Sequence, residues 1–305
     1  MSSPRERDTK FIEEDLVPEL VSDRCFCESN SREFVELESV AAEPLLDHHV
    51  LYRATIVIRF SDVPTTFRVL IKLLPADSND YGGFLNEEMI WNKGTLQYGK
   101  TDFFPRFYAA DMGRYAGRAI IVVEDLRSRG FRRAIGGHFD NDEARLAVRF
   151  IGRFHARGLR LRRDKFPVFR EFYAKFEDTL PVRRADLCQS AEDKEAGLER
   201  WPSCTICQGL MTRENLWFRR DPDTGEPVEV RPLDWQRVRL GPGVIDLETL
   251  LAWCSDDARE ALRDLYVDVV REEVPEIGRE ELLRDSDGVG KTYADIAHRL
   301  GGSLD

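Results

Sequence analysis

The chain has 305 residues, enough for one large or two moderate domains with substantial cores. Its 42% hydrophobic content excludes global disorder, and a net charge of −11 works against non-specific binding to nucleic acid or an anionic membrane. The longest apolar runs, such as Ala119–Val123, are strand-sized and far short of a membrane span.

The polar start Met1-Ser-Ser-Pro-Arg-Glu-Arg7 carries no apolar leader core, so a cytoplasmic protein is expected. Six cysteines in such a chain are expected to be free thiols. A zinc site made by Cys25, Cys27, Cys204 and Cys207 is set aside. Cys-x-Cys is an unusual half-site, and Cys207 falls where a buried strand residue is expected.

Residues 11–30 form an acidic amphipathic segment that Pro18 is expected to interrupt. Leu51–Phe60 and Thr66–Leu74 are rich in β-branched and apolar residues and predict a hairpin turning at Ser61-Asp-Val-Pro64. Lys72 is the single charge near the end of its second strand. A helix is expected over 83–96, with Glu87 and Glu88 near its start, followed by strands at Phe107–Ala110 and Ala119–Val123. Asp140-Asn-Asp-Glu143 then predicts a helix N-terminus. Ala144, Ala147, Val148, Ile151, Phe154 and His155 follow on one face.

Residues 169–200 read as helical and charged. Strand signals return at 204–208, 215–219 and 228–233, and helices close the chain at 247–253 and 258–273. Two basic runs, Arg127–Arg133 and Arg157–Arg163, read as solvated surface, with an anion-binding face as the alternative. This order of elements predicts an α+β fold of two lobes, a strand-rich front and a helical back with one inserted hairpin. The expected division is 1–40 as an N-terminal extension, 41–123 as the N-lobe and 124–305 as the C-lobe.

Seven stretches in order carry a resemblance: Val69-Leu-Ile-Lys-Leu-Leu-Pro75; Phe84-Leu-Asn-Glu87 with Trp91; Ile121-Val-Val-Glu-Asp-Leu126; Ile151-Gly-Arg-Phe-His-Ala156; Cys207-Gln-Gly-Leu210 through Asn215; Leu233-Asp-Trp-Gln236; and Gly241 to Leu247. Together they resemble the ecdysteroid kinase-like family. That family belongs to the choline-kinase and aminoglycoside-phosphotransferase branch of the protein-kinase-like fold. The resemblance implies that Lys72 reaches nucleotide phosphates and Glu87 orients it, with Glu88 the rival. It also implies that Glu124 and Leu126 join the lobes beside an adenine, and that Asp234 and Asn215 hold Mg²⁺. Asp246 would support the catalytic loop from behind. ATP and Mg²⁺ are the cofactors implied.

The family's loop reads His-Gly-Asp, then Asn. Here Gln208 replaces the His and Leu210 replaces the Asp that accepts the substrate's proton, while Asn215 keeps its place. Glu214, the only nearby carboxylate, is expected on the far side of the loop. Ala41–His49 stands where a Gly loop should cover the phosphates. It has no Gly, a Pro without an N–H and the charge of Glu43. About fifty residues separate His155 from Gln208, fewer than the resemblance implies, so the helical part that would build a pocket for a bulky substrate is expected to be shortened. Gly288-Val-Gly-Lys-Thr292 is set aside as a P-loop, because Asp285 stands where its first Gly is needed.

A pseudokinase that keeps the means to bind Mg-ATP is therefore expected. The alternative is an active ATP-dependent kinase for a hydroxyl of a small molecule. A small-molecule ligand or an unknown protein partner is expected, with no nucleic acid and no membrane.

Overall fold

The computed structural model describes residues 3–28, 31–45, 51–74, 81–98, 103–134, 137–176, 203–284, 286–290, 292 and 294–295. Its first half is a five-stranded antiparallel sheet built from β1 (Val35–Pro44), β2 (Leu51–Phe60), β3 (Val63–Leu73), β4 (Phe107–Tyr115) and β5 (Arg118–Glu124). The strand order is β1-β2-β3-β5-β4. The β2–β3 hairpin turns on Ser61 and Asp62 alone. Val63 already pairs with Phe60 and Pro64 with Arg59, so two residues assigned to the turn belong to β3. Ser61 takes a positive φ of 55° to close it.

The two faces of this sheet follow the two-residue period of its strands. Ala54 and Ile56 of β2, Val69 and Ile71 of β3, and Ile120 and Val122 of β5 share one apolar cluster with Ile12, Leu16 and Leu20. Leu70, Ile121 and Val123 face the other way, into the larger cluster. Lys72 is in phase with Leu70 and so lies on that second side, above the helical half.

The N-terminal helices are the plug for the first face. α1 (Pro4–Phe11) and α2 (Val17–Ser22) are joined without a break through a π-turn at Ile12–Leu16. Pro18 therefore does not interrupt the helix. The Val17 N–H donates to the carbonyl of Ile12, five residues back, and this wider turn takes up the proline's clash one residue later. Tyr52 donates to Asp8 at 2.6 Å, and the Ala42 N–H donates to Glu13 at 2.8 Å. β1 itself begins at Val35, ahead of the division drawn at residue 40.

β1 also corrects the phosphate-loop expectation. Ala41 to Pro44 are strand residues paired with Thr55 to Tyr52, and Arg53 meets Glu43 at 2.8 Å. Glu43 thereby shares Arg53 with Asp125. Residues 46–50, which hold the rest of that stretch, lie outside the described residues.

A helix links the sheet to the second half: α3 (Tyr81–Met89), a π-turn over Ile90–Gly94 and α4 (Thr95–Tyr98). The second half centres on α5 (Asn141–Asp164). Asp140 caps it with a reciprocal Glu143 bond, and its buried stripe includes Ala147, Ile151 and Phe154. α6 (Phe166–Lys175) follows, and the helix expected to continue to residue 200 lies outside the described residues beyond 176.

Two small sheets complete this half. β6 (Phe131–Arg133), β8 (Leu216–Arg220) and β9 (Pro227–Pro232) form one; β7 (Cys204–Cys207) and β10 (Arg239–Pro242) form the other. α7 (Val244–Leu251) and α8 (Arg259–Glu273) pack behind them. Strands β1, β6 and β10 were not expected. β6 has three residues and β10 has four, including Gly241 and Pro242, so neither carries a legible strand pattern.

Candidate active site

Lys72 ends β3 with its amine 2.6 Å from Glu87 of α3 and 3.5 Å from Asp234. Glu87 is placed by the helix period. Phe84 and Trp91 are buried on the same face, and the Trp91 indole N–H reaches its other carboxylate oxygen at 3.5 Å. Glu88 points elsewhere and accepts from Asn92. Burial works against the Lys72 ammonium, but the carboxylates of Glu87 and Asp234 outweigh it and raise it above the ordinary lysine value. Burial also raises Glu87, with Lys72 opposing.

Asp234 follows β9 in a left-handed conformation, φ 65°, which an aspartate tolerates better than most residues. Two anchors hold it there. Trp235, fully buried, packs on Phe104 and Phe154, and the Gln208 side-chain amide donates to the Asp234 carbonyl at 2.6 Å.

The loop from Cys207 to Asn215 is fastened from behind by Asp246 of α7. Its carboxylate accepts the N–H groups of Gln208 at 2.6 Å and Gly209 at 2.8 Å. His155 of α5 lies 3.1 Å from the same carboxylate and 2.9 Å from the Tyr266 hydroxyl of α8. Gly209 has φ 89°, and a Cβ there would stand 1.9 Å from the Arg237 carbonyl, so only glycine fits. Gln208 is fully buried, and its side chain makes two hydrogen bonds. Beyond its bond to Asp234, its oxygen accepts the Leu210 N–H at 2.8 Å. It therefore staples the loop to the Asp234 segment. Asn215 donates to the Leu210 carbonyl at 3.0 Å, closing the loop.

Lys72, Glu87, Asn215 and Asp234 line one cavity of about 260 Å³ between the sheet and the second half. Leu45, Leu51, Leu70 and Val123 form its roof, and Trp217 and Leu233 stand on the side of the second half. Glu214 lines the same cavity, and one of its carboxylate oxygens is buried without a hydrogen-bond partner. It therefore shares this cavity with Asn215 and Asp234. The turn Thr212–Asn215 is tight enough to bring it round, with the Asn215 N–H bonded to the Thr212 carbonyl.

The donor set suits a hard cation. The Asn215 amide nitrogen is spent on Leu210, which leaves its oxygen as the acceptor beside the Asp234 carboxylate. One carboxylate and one amide oxygen, completed by phosphate and water oxygens, is a sufficient protein share for Mg²⁺.

Glu124 and Leu126 do not line this cavity. The N–H groups of Glu124 and Asp125 donate to the carbonyls of Arg106 and Arg68, and Leu126 is buried with Phe131 and Trp217. Arg127, Arg133 and Trp217, which do line it, carried only weak signals: a basic run and a strand tryptophan. The second basic run is partly paired surface, with Arg160 on Glu273 and Arg163 on Glu276.

The four cysteines considered for zinc do not converge. Among the described residues the one metal-capable cluster is His155, Cys207 and Asp246. Its groups are already hydrogen-bonded, and burial pushes the Cys207 thiol well up, so it stays protonated. Gly288 follows a short helix, Arg279–Leu282, not the strand a P-loop needs.

A lysine on the sheet paired with a glutamate on the linking helix, facing an acid and an asparagine from the other half of an α+β fold, is the arrangement that the family resemblance implies for these four residues. The sequence agrees: the model of the ecdysteroid kinase-like family matches residues 50–191, so the resemblance to that family is borne out across that stretch. The match ends before Gln208, and the loop rests on its own geometry. No curated protein matches the chain.

Among solved structures the chain is similar to the GDP complex of aminoglycoside 2'-phosphotransferase-IIIa, at 11% identity and a TM-score of 0.45, covering 95% of this chain and 92% of that one. It is also similar to macrolide 2'-phosphotransferase from Brachybacterium faecium, at 9% and 0.43, over 95% and 98% of the two chains. Choline kinase from Cryptosporidium parvum follows at 9% and 0.40, over 92% and 87%. Among the described residues no helix is long and apolar enough to cross a membrane.

Proposed function

We propose that the chain is a pseudokinase, which binds Mg-ATP in the cavity above Asp234 and does not transfer its phosphoryl group. The observation that supports this most is Leu210. The loop around it is fastened by Asp246 on two N–H groups, by Gln208 and by Asn215, yet the side chain at the base position can neither accept a proton nor hydrogen-bond. General-base help of this kind contributes about 10²–10⁴-fold. Lys72 would meet phosphate oxygens once nucleotide draws it from Asp234, with Glu87 keeping its direction. The Mg²⁺ on Asp234 and Asn215 would supply charge neutralisation. A cytoplasmic protein with a small-molecule ligand or a protein partner completes this account.

A second function is favoured by one observation. Glu214, on the cavity wall next to Asn215 in the chain, has an unpartnered carboxylate oxygen that could take an acceptor's proton. In that case the chain is an active phosphotransferase for a small-molecule hydroxyl.

Thermal stabilisation by Mg-ATP tests the nucleotide part, because a ligand that binds only the folded state raises the melting temperature. Wild type should be stabilised and Asp234→Ala should not. Equal, null responses from both would remove nucleotide binding from the proposal.

A further inference from the structure

The rim of the cavity carries charge that the nucleotide residues leave unused. Arg133 of β6 sits directly across from Trp217 of β8, and Arg127 comes from the short turn after β5. Both guanidinium carbons lie 5.4 Å from the Trp217 ring centroid, and both side chains line the cavity with Lys72. Elsewhere in this acidic chain arginines meet carboxylates: Arg53 on Asp125, Arg220 on Glu143, Arg263 on Glu248. Among the described residues neither Arg127 nor Arg133 does. An arginine resting on an indole keeps its N–H edges available and pre-aimed, which suits the bidentate recognition of phosphate. The N–H groups of Glu124 and Asp125, meanwhile, are spent on Arg106 and Arg68 and offer nothing to a base edge.

We propose that Arg127 and Arg133, steadied on Trp217, form a second anion-binding position in this cavity, and that it takes the phosphate of an organic phosphate. The cavity then selects its ligand by charge more than by base. Glu214 and Asp234 put negative charge on the same cavity, so the phosphate belongs on the arginine rim or bridges to Asp234 through a cation. This inference rests on the same cavity as the nucleotide proposal, but on residues that proposal does not use.

Titration calorimetry on the full chain with three probes tests it: ATP without magnesium, inorganic triphosphate and adenosine. Wild type should bind ATP and triphosphate with similar affinity and bind adenosine far more weakly. Arg127→Gln and Arg133→Gln should each weaken triphosphate by on the order of tenfold, as expected for a charge-assisted hydrogen bond. The Arg127→Lys/Arg133→Lys variant should keep part of the binding, and an unchanged melting temperature shows that the Gln variants fold.

ATP bound as tightly by the double Gln variant as by wild type would overturn the inference while leaving the nucleotide proposal intact. Adenosine bound as tightly as ATP would also overturn it. Triphosphate bound through the arginines with no Mg-ATP response would uphold it while the nucleotide proposal fell.

Discussion

Gln208 shows how one side chain can look like damage in a sequence and serve as a fastening in the fold. Its amide, on a fully buried residue, bridges the half-buried Asp234 carbonyl and Leu210 N–H. Gln208→Ala should therefore leave a half-buried carbonyl and a half-buried N–H unpaired, at about 1 kcal/mol each. Denaturant unfolding would measure it, and a loss under about 0.5 kcal/mol would mean that water replaces the amide. Gly209 is the stricter neighbour. With φ 89° and the Arg237 carbonyl where a Cβ would stand, Gly209→Ala should cost well over ~1 kcal/mol and displace the loop. Leu210 lies between these fixed points, and on the proposed function it takes the base's place with a side chain that cannot act as one. Its identity was legible in the sequence. The way Glu214 turns back into the cavity was not, because loop direction depends on the Thr212–Asn215 bond and not on spacing.

Elements set the rest of the site. β3 delivers Lys72 because its alternate residues Val69, Ile71 and Leu73 are committed to the N-terminal helices, leaving Leu70 and Lys72 on the cavity side. α3 delivers Glu87 by the same logic at helical period. Glu87→Ala would strip a buried ammonium of its closest partner and should destabilise by about 3 kcal/mol, reduced where Asp234 compensates. The Lys72 amine is raised in the folded state, so its stabilising share is present through neutral pH and is lost as pH rises through that raised value.

At the start of α5 the sign is opposite. Burial opposes the Asp140 carboxylate, but the Glu143 N–H and Arg220 outweigh it and hold it below the ordinary value. Asp140→Ala should cost about 1 kcal/mol at pH 7, and the gap from wild type should close as pH falls through the depressed value. A gap constant down to pH 2 would mean that the cap does not depend on the charge.

For the whole molecule, most of the architecture was legible because it is written in long periodic runs: β2, β3, β5 and α5 all show their buried faces in sequence. The parts that were not legible have physical reasons. β1 alternates half-buried with exposed residues, so it lacks the apolar signature of its partners. β6 and β10 are too short to show a period. Pro18, which reads as a stop, is absorbed by a π-turn that no residue pattern announces. On the proposed function, the frame is kept where packing builds it and altered at Leu210, where chemistry would occur, and at its neighbour Gln208. ADP release from Mg-ATP, followed side by side for wild type and Leu210→Asp with a panel of small hydroxyl compounds, tests this most directly. The account predicts background rates for wild type and a gain of turnover on restoring the aspartate. Wild-type turnover well above background, abolished by Asp234→Ala and by Glu214→Gln, would contradict it.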